Sequence, residues 1–441
     1  MKTSMSLETA LETARAIENR AVDYIAPVGR LSMKHHFQPA NYTAEHGYHS
    51  PAAYGEADMD SATFPVLQLD APNGEINGEL TDSAFSQLCT HLMIPHQYAA
   101  RLRDNAIPAE VGEEWELNTG RGLVTKLSRE AYPKATPLLA AMVNHALSHG
   151  DQNGYRMLRG LLPEKSADDY NSKTGSRMQQ WRAILSNQYL PIPSVSVLDQ
   201  ALMHCNKVRE ASGNSPGLNA VLKSADVTEN RLYAKFVFPG MVSRKLKTRR
   251  VGELVRIGFV LFNNEVGAGR YGVRAFAEFL ACTNGMVLPE WGQGVSRVHR
   301  TGRIELDGDI VVSSATRRAQ IAAALAELGD AIDTVTAPER LEFLSRAIEH
   351  AAEAPEVKTD RAENAVRRIA KNELLTEAES KAVYAAFMRG NDFGQFGMSQ
   401  AICSHDVANV LSFDRATHLE TVAGKVLTMA RGDWSRLAMA A

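Results

Sequence analysis

Residues 255–286 read VRIGFVLFNNEVGAGRYGVRAFAEFLACTNGM, and SRKLKTRR occupies residues 243–250 just before them. Val255, Ile257, Phe259 and Leu261 alternate with Arg256 and Val260, the period-2 signature of a strand. Upstream, Leu232, Ala234, Phe236 and Phe238 alternate with Tyr233, Lys235 and Val237, and residues 270–282 form a third extended run. Three successive strands predict an antiparallel sheet, in which the basic run becomes the tip of a β-hairpin. Gly267 and Gly269 could wrap a phosphate with backbone amides. The segment lacks the glycine spacing and helix of a dinucleotide fingerprint, and the Gly-Lys-Ser/Thr of a nucleoside triphosphate loop. A tight strand-to-strand connection explains these glycines better.

Working outward, residues 6–26 have helical spacing, and a histidine-bearing stretch to Pro65 reads as an extended loop or irregular edge. FPVLQL (64–69) is a strand, and PNGEINGE carries turn chemistry. Thr81 is placed to cap the helix DSAFSQLCTHL, and HQYAARLRDN begins a second helix after Ile94-Pro95. A helix over 138–147 precedes strands at 154–162 and 182–190 and a helix capped by Ser194 or Ser196. After a strand at 303–312 come helices over 314–329, 338–354, 360–372, 376–389 and 414–430. The expected fold class is α+β: a central antiparallel β-sheet with a basic hairpin, flanked by N-terminal helices and a C-terminal helical region. The expected divisions are 1–80, 81–310 and 311–441.

The 441 residues are 44% hydrophobic and 22% charged, ordinary for a globular protein with its own core. No apolar run reaches the roughly 18 residues of a membrane span, and the acidic, interrupted N-terminus does not resemble a signal peptide. A cytoplasmic location follows as an expectation. Cys89, Cys205, Cys282 and Cys403 are too far apart in sequence to suggest a metal-ligand pair or a disulfide framework. The net charge of -3 hides a segregation. Residues 244–303 hold 11 Lys plus Arg against 4 Asp plus Glu, leaving 37 basic and 47 acidic residues elsewhere. Such an asymmetry builds a local field for a polyanion.

The candidate phosphate-contacting residues are Arg244, Lys245, Lys247, Arg249, Arg250, Arg256, Arg270 and Arg274, with Tyr271 or Phe262 placed to stack a base. Tyr233, Tyr189 and Trp291 are further aromatic candidates. The bland alternatives are a solvated hairpin tip that resists edge aggregation and aromatics that belong to the core. His35, His36, His46 and His49 match no zinc spacing. Neither a Gly-x-Ser-x-Gly elbow nor a His-Glu-x-x-His helix is present. No catalytic residue, metal or cofactor is expected.

Two boxes carry a resemblance. RAILSNQYLPIPSVSVLDQAL (182–202) is similar to an "LSdRYrpiDN" box, and the opening stretch to a "GvxisNSEvGxgsxxvxpfxxRlxCtNGm" box, of phage and plasmid proteins known as a domain of unknown function. TDSAFSQLCTHLMIPHQYAARL (81–102) and SFDRATHLETVAG (412–424) resemble flanking parts of the same family. This chain has Asn263-Asn264-Glu265 where the family has Asn-Ser-Glu, and Pro193-Ser194 where it has Asp-Asn. The resemblance implies a mobile-element setting beside antirestriction and DNA-processing functions. The expected function is therefore nucleic-acid binding, with single-stranded DNA as partner in annealing, recombination or protection, by a homo-oligomer and without a membrane. The alternatives are an interaction protein that inhibits host defence proteins and a metal-dependent enzyme built on the N-terminal histidines.

Overall fold

Ser6 accepts a hydrogen bond from the Thr9 amide and so starts α1 (Leu7–Arg20), whose Ala10, Ala14 and Ile17 are buried. The helix stops earlier than its apolar spacing predicts. Ala21–Pro27 is instead strand β1, in continuous antiparallel register with a later strand from Ala21↔Leu161 to Pro27↔Tyr155. Val22, Tyr24 and Ile25 favour the extended chain, and strand pairing overrides the helical spacing of the same residues. The computed structural model describes residues 5–37, 63–104, 115–118, 124–127, 135–150, 154–163, 179–211, 213, 218–248, 254–280, 285–288, 296, 297, 299, 313–404, 407 and 413–440. The strand expected at 303–312 lies outside them, as do His46 and His49.

The chain continues through β2 (Leu31–Phe37), β3 (Thr63–Ala71) and β4 (Gly74–Leu80), then α2 (Asp82–His91) and α3 (His96–Asp104). His35 and His36 thus belong to a regular strand rather than a loop. Next come the small hairpin β5 (Trp115–Asn118) and β6 (Val124–Leu127), α4 (Ala135–His149), β7 (Tyr155–Leu161) and β8 (Gln179–Ser186). The first sheet has the order β1-β7-β8-β4-β3-β2, with β4 and β8 parallel and the other pairs antiparallel. Phe85 and Leu88 of α2 and Leu139 and Val143 of α4 pack on one face of it against Leu67, Leu158 and Trp181. Trp181 is fully buried, and its indole N–H donates to the Leu67 carbonyl at 2.9 Å.

A second sheet is built after α5 (Ser194–Ala211) from β9 (Val221–Val227), β10 (Arg231–Val242), β11 (Val255–Asn264), β12 (Tyr271–Phe279), β13 (Gly285–Leu288) and β14 (Ser296–Arg297). Its order is β13-β12-β11-β10-β9, with β14 also paired to β12. The predicted β10–β11–β12 meander is therefore present, in a molecule with two principal sheets rather than one. C-terminal helices follow: α6 (Ser314–Val335), α7 (Pro338–Ala352), α8 (Ala362–Asn372), α9 (Glu377–Gly390), α10 (Gln395–Ile402), α11 (Phe413–Thr428) and α12 (Arg431–Ala440). The larger hydrophobic cluster joins α1, α5, one face of the second sheet and these helices. Divisions at 80/81 and 310/311 therefore do not follow the cores. Among the described residues, no helix is long and apolar enough to cross a membrane.

Gly258 of β11 is required by close approach. A Cβ there would lie 2.0 Å from the Phe236 carbonyl oxygen. Gly258→Ala is expected to lower stability by roughly 2–3 kcal/mol, the upper part of the overpacking range, measurable as a reduced midpoint in chemical denaturation.

Candidate nucleic-acid interface

The basic run lies between β10 and β11, as its sequence position predicts, but its first half is docked rather than projecting. Ser243 N–H donates to the Val255 carbonyl, and Val255 N–H donates back to Ser243 Oγ. Leu246 is buried in the larger core. Arg244 grips Glu349 of α7 with two bonds of 2.6 and 2.7 Å and lies 4.0 Å from Glu342, while the Lys247 amide donates to Glu349 at 2.8 Å. The carboxylate neutralises the arginine expected to meet phosphate, so Arg244 is corrected to a helix-docking residue. Lys245 and the Lys247 side chain remain exposed. Arg249 and Arg250 lie outside the described residues.

The other candidates separate. Tyr271 points into the core at 3% exposure and packs edge-on against His299, with ring centroids 5.0 Å apart. That placement corrects the expectation that it stacks a base. Arg270 is exposed in the turn after β11. β11 is 10 residues long, so its two ends lie roughly 30 Å apart at about 3.3 Å per residue. Arg270 and the 243–250 run consequently belong to opposite ends of the sheet.

One group does come together, on the sheet face opposite the larger core. Tyr233 and Phe262 are direct cross-strand partners, as are Lys235 and Val260, and Val260 and Arg274. Directly opposed residues share a face. Tyr233, Phe262 and Arg274 are all half-buried, and the Arg274 guanidinium lies over the Phe262 ring at 5.0 Å. Lys235 Nζ lies 5.9 Å from the Tyr233 ring centre and 5.6 Å from that of Phe276, and bonds Glu420 of α11 at 2.6 Å. Arg256 faces the same way and is 3.5 Å from Glu278, which also pairs with Lys223. Among the described residues, Lys245, Arg270 and Arg274 form no ion pair.

Beside this face, the NNEVG segment enters a buried charge cluster that the sequence reading did not anticipate. Arg182 stands at a β-bulge, between the partners Gly160↔Trp181 and Arg159↔Ala183. The extra residue turns its side chain inward. Glu265, 3% exposed, accepts the Ser194 amide at 2.8 Å at the start of α5 and lies 3.6 Å from Arg159 and 3.5 Å from Arg182. Arg159 also donates to Asp23 at 2.8 Å and to the Glu265 carbonyl at 2.7 Å. Asn263 donates to the Ile192 carbonyl and Ser194 Oγ, and the Tyr189 hydroxyl donates to the Asn264 carbonyl. The two sequence boxes are thus a single packed unit.

Burial sets the titration of two rings beside this cluster, Tyr189 and His299. It pushes the Tyr189 phenol well above its ordinary range. It lowers His299 to about 4, so the imidazole is neutral at pH 7, with its Nδ1–H donated to the Leu190 carbonyl. Tyr189 stacks on that ring at 5.0 Å. The carboxylate is held by arginines and a helix amide, an arrangement of structural type. Among the described residues, no group of three or more His, Cys, Asp or Glu is arranged to hold a metal. A signal for the cluster existed: Arg159 interrupts the apolar strand GYRMLRGLL, and Arg182 opens RAIL. Comparisons with protein-family models, curated proteins and solved structures found no match to this chain.

Removing Glu265 leaves the buried Arg182 guanidinium and a helix amide without their carboxylate, and leaves Arg159 with Asp23 as its remaining one. Glu265→Ala should cost roughly 3–5 kcal/mol, seen as a large fall in the thermal midpoint. The Arg244–Glu349 pair predicts a pH dependence. Hydrogen bonding from Arg244 holds Glu349 at about 2, below its ordinary 4.5. Because the folded value is depressed, this stabilisation is fully present above about pH 5 and fades as pH falls toward 2. The stability difference between wild type and Glu349→Gln, followed by urea unfolding across this range, should shrink in that window.

Proposed function

We propose that this protein binds nucleic acid, with single strands preferred, across the sheet face that carries Tyr233, Phe262 and Arg274. The observation that carries this reading is the in-register pair Tyr233↔Phe262, both half-buried, with Arg274 at 5.0 Å over the Phe262 ring. Aromatic rings on adjacent strands offer stacking platforms to unpaired bases, and neighbouring cations meet phosphates. A duplex keeps its bases stacked inside, so this face suits exposed bases better. Arg270 extends the positive charge at the turn beyond β11, and Lys245 and Lys247 extend it at the opposite end.

The charge balance supports a moderate, salt-sensitive affinity. Glu278 and Glu420 already hold Arg256, Lys223 and Lys235, leaving Arg274 as the cation of the face without an ion pair among the described residues. The resemblance to phage and plasmid proteins supports DNA as the partner, in annealing, recombination or protection.

Fluorescence anisotropy with labelled single- and double-stranded oligonucleotides across a salt series tests the proposal. Single strands should bind more tightly, and affinity should fall as salt rises. Phe262→Ala should lose about 1–3 kcal/mol of affinity, the usual worth of one stacked base. Arg274→Ala should also reduce the salt slope, by about one phosphate contact. Absence of binding to either form at low salt would overturn the reading.

A further inference from the structure

Outside the sheet face, α4 ends in a pair of exposed histidines one turn apart, His145 and His149, with ring centroids 4.1 Å apart and an interplanar angle of 34°. Spacing i, i+4 places two imidazoles on one helix face, the arrangement by which helices present paired ligands to zinc. We propose that His145 and His149 form a surface site for one divalent transition-metal ion.

Hydrogen bonding supplies an independent observation. His149 Nδ1 lies 2.9 Å from the His145 carbonyl oxygen and 3.0 Å from Ser148 Oγ. The carbonyl can only accept, so the proton resides on Nδ1 and the Nε2 lone pair is left available. A ligating histidine commonly has this outer arrangement, in which the second ring nitrogen donates to a carbonyl and fixes the tautomer. Ser148 Oγ also donates to the His145 carbonyl at 2.9 Å, so the three residues form one short network.

The position on the helix adds a favourable field. His149 is the last residue of α4, and the C-terminal end of a helix carries partial negative charge from carbonyls without an intrahelical partner. A bound cation is stabilised there. Two imidazoles with water in the remaining positions suit borderline ions, and copper(II) should bind most tightly among the first-row divalent metals. Two protein ligands leave the remaining positions to water, which makes this an open, exchangeable site rather than a closed structural one.

The test is titration of copper(II) into the full-length wild-type chain, the single variant His149→Ala and the double variant His145→Ala/His149→Ala, by calorimetry and electron paramagnetic resonance. His35, His36, His46 and His49 are unchanged in all three, so differences report the α4 pair. Wild type should bind one more equivalent than the double variant, with a nitrogen-ligated copper signal that the double variant lacks. His149→Ala should lose that tight equivalent, and Ser148→Ala should weaken it by about tenfold, the lower end of outer-ligand effects. The side chains are exposed, so unchanged thermal midpoints are expected and serve as the folding control. Equal copper stoichiometry and affinity in wild type and double variant would overturn the proposal.

Discussion

Glu265 is the charge on which the junction of the two sheets depends. It sits just beyond β11, in the second sheet, yet it faces Arg159 and Arg182 from the first sheet and the opening amide of α5. Desolvating a carboxylate and two guanidiniums is costly, and the cost is offset only where Coulomb attraction and hydrogen bonds act together. The surrounding contacts provide that setting. Tyr189 holds the Asn264 carbonyl, Asn263 holds Ile192 and Ser194, and Gln87 donates to the Val266 carbonyl at 2.6 Å while accepting the Ile184 amide at 2.8 Å. The turn is then closed sterically. Gly267 has φ +75°, and a Cβ on it would lie 2.4 Å from Leu185.

This clasp separates architecture from recognition within one stretch of chain. Odd-numbered residues of β12 from Tyr271 to Phe279 enter the larger core, whereas Arg274, Phe276 and Glu278 turn to the opposite face. The alternation of a strand thus assigns neighbouring residues to different tasks. Glu349 reaches Arg244 from α7 and so consumes part of the positive charge concentrated in residues 244–303, while Glu420 of α11 neutralises Lys235 just upstream of that segment. A charge count cannot separate a cation held by a neighbouring carboxylate from one facing solvent.

Alternation and capping made much of the local structure legible. The meander β10–β11–β12, the Thr81 cap of α2 and the C-terminal helices α6, α7, α8, α9 and α11 follow from local residue patterns, whereas α10 and α12 were not anticipated. Where local preference and strand pairing competed, at Ala21–Pro27, pairing with β7 decided the outcome. The candidate interface was legible in part. Arg274 and Phe262 were identifiable as a cation and an aromatic near one another, but the inward direction of Tyr271 depended on register.

The sequence by itself determined the α+β class, the position of the basic run between two strands, and the tight turn at NNEVG, because these depend on interactions over a few residues. Tertiary structure decided that Arg244 docks on α7, that Arg159 and Arg182 meet Glu265, and that Tyr233, Phe262 and Arg274 share a face. Those arrangements join residues far apart in the chain: 105 positions separate Arg244 from Glu349, and 106 separate Arg159 from Glu265. Local periodicity can orient a side chain relative to its own strand. The partner it meets is set by sheet order and by the packing of distant helices.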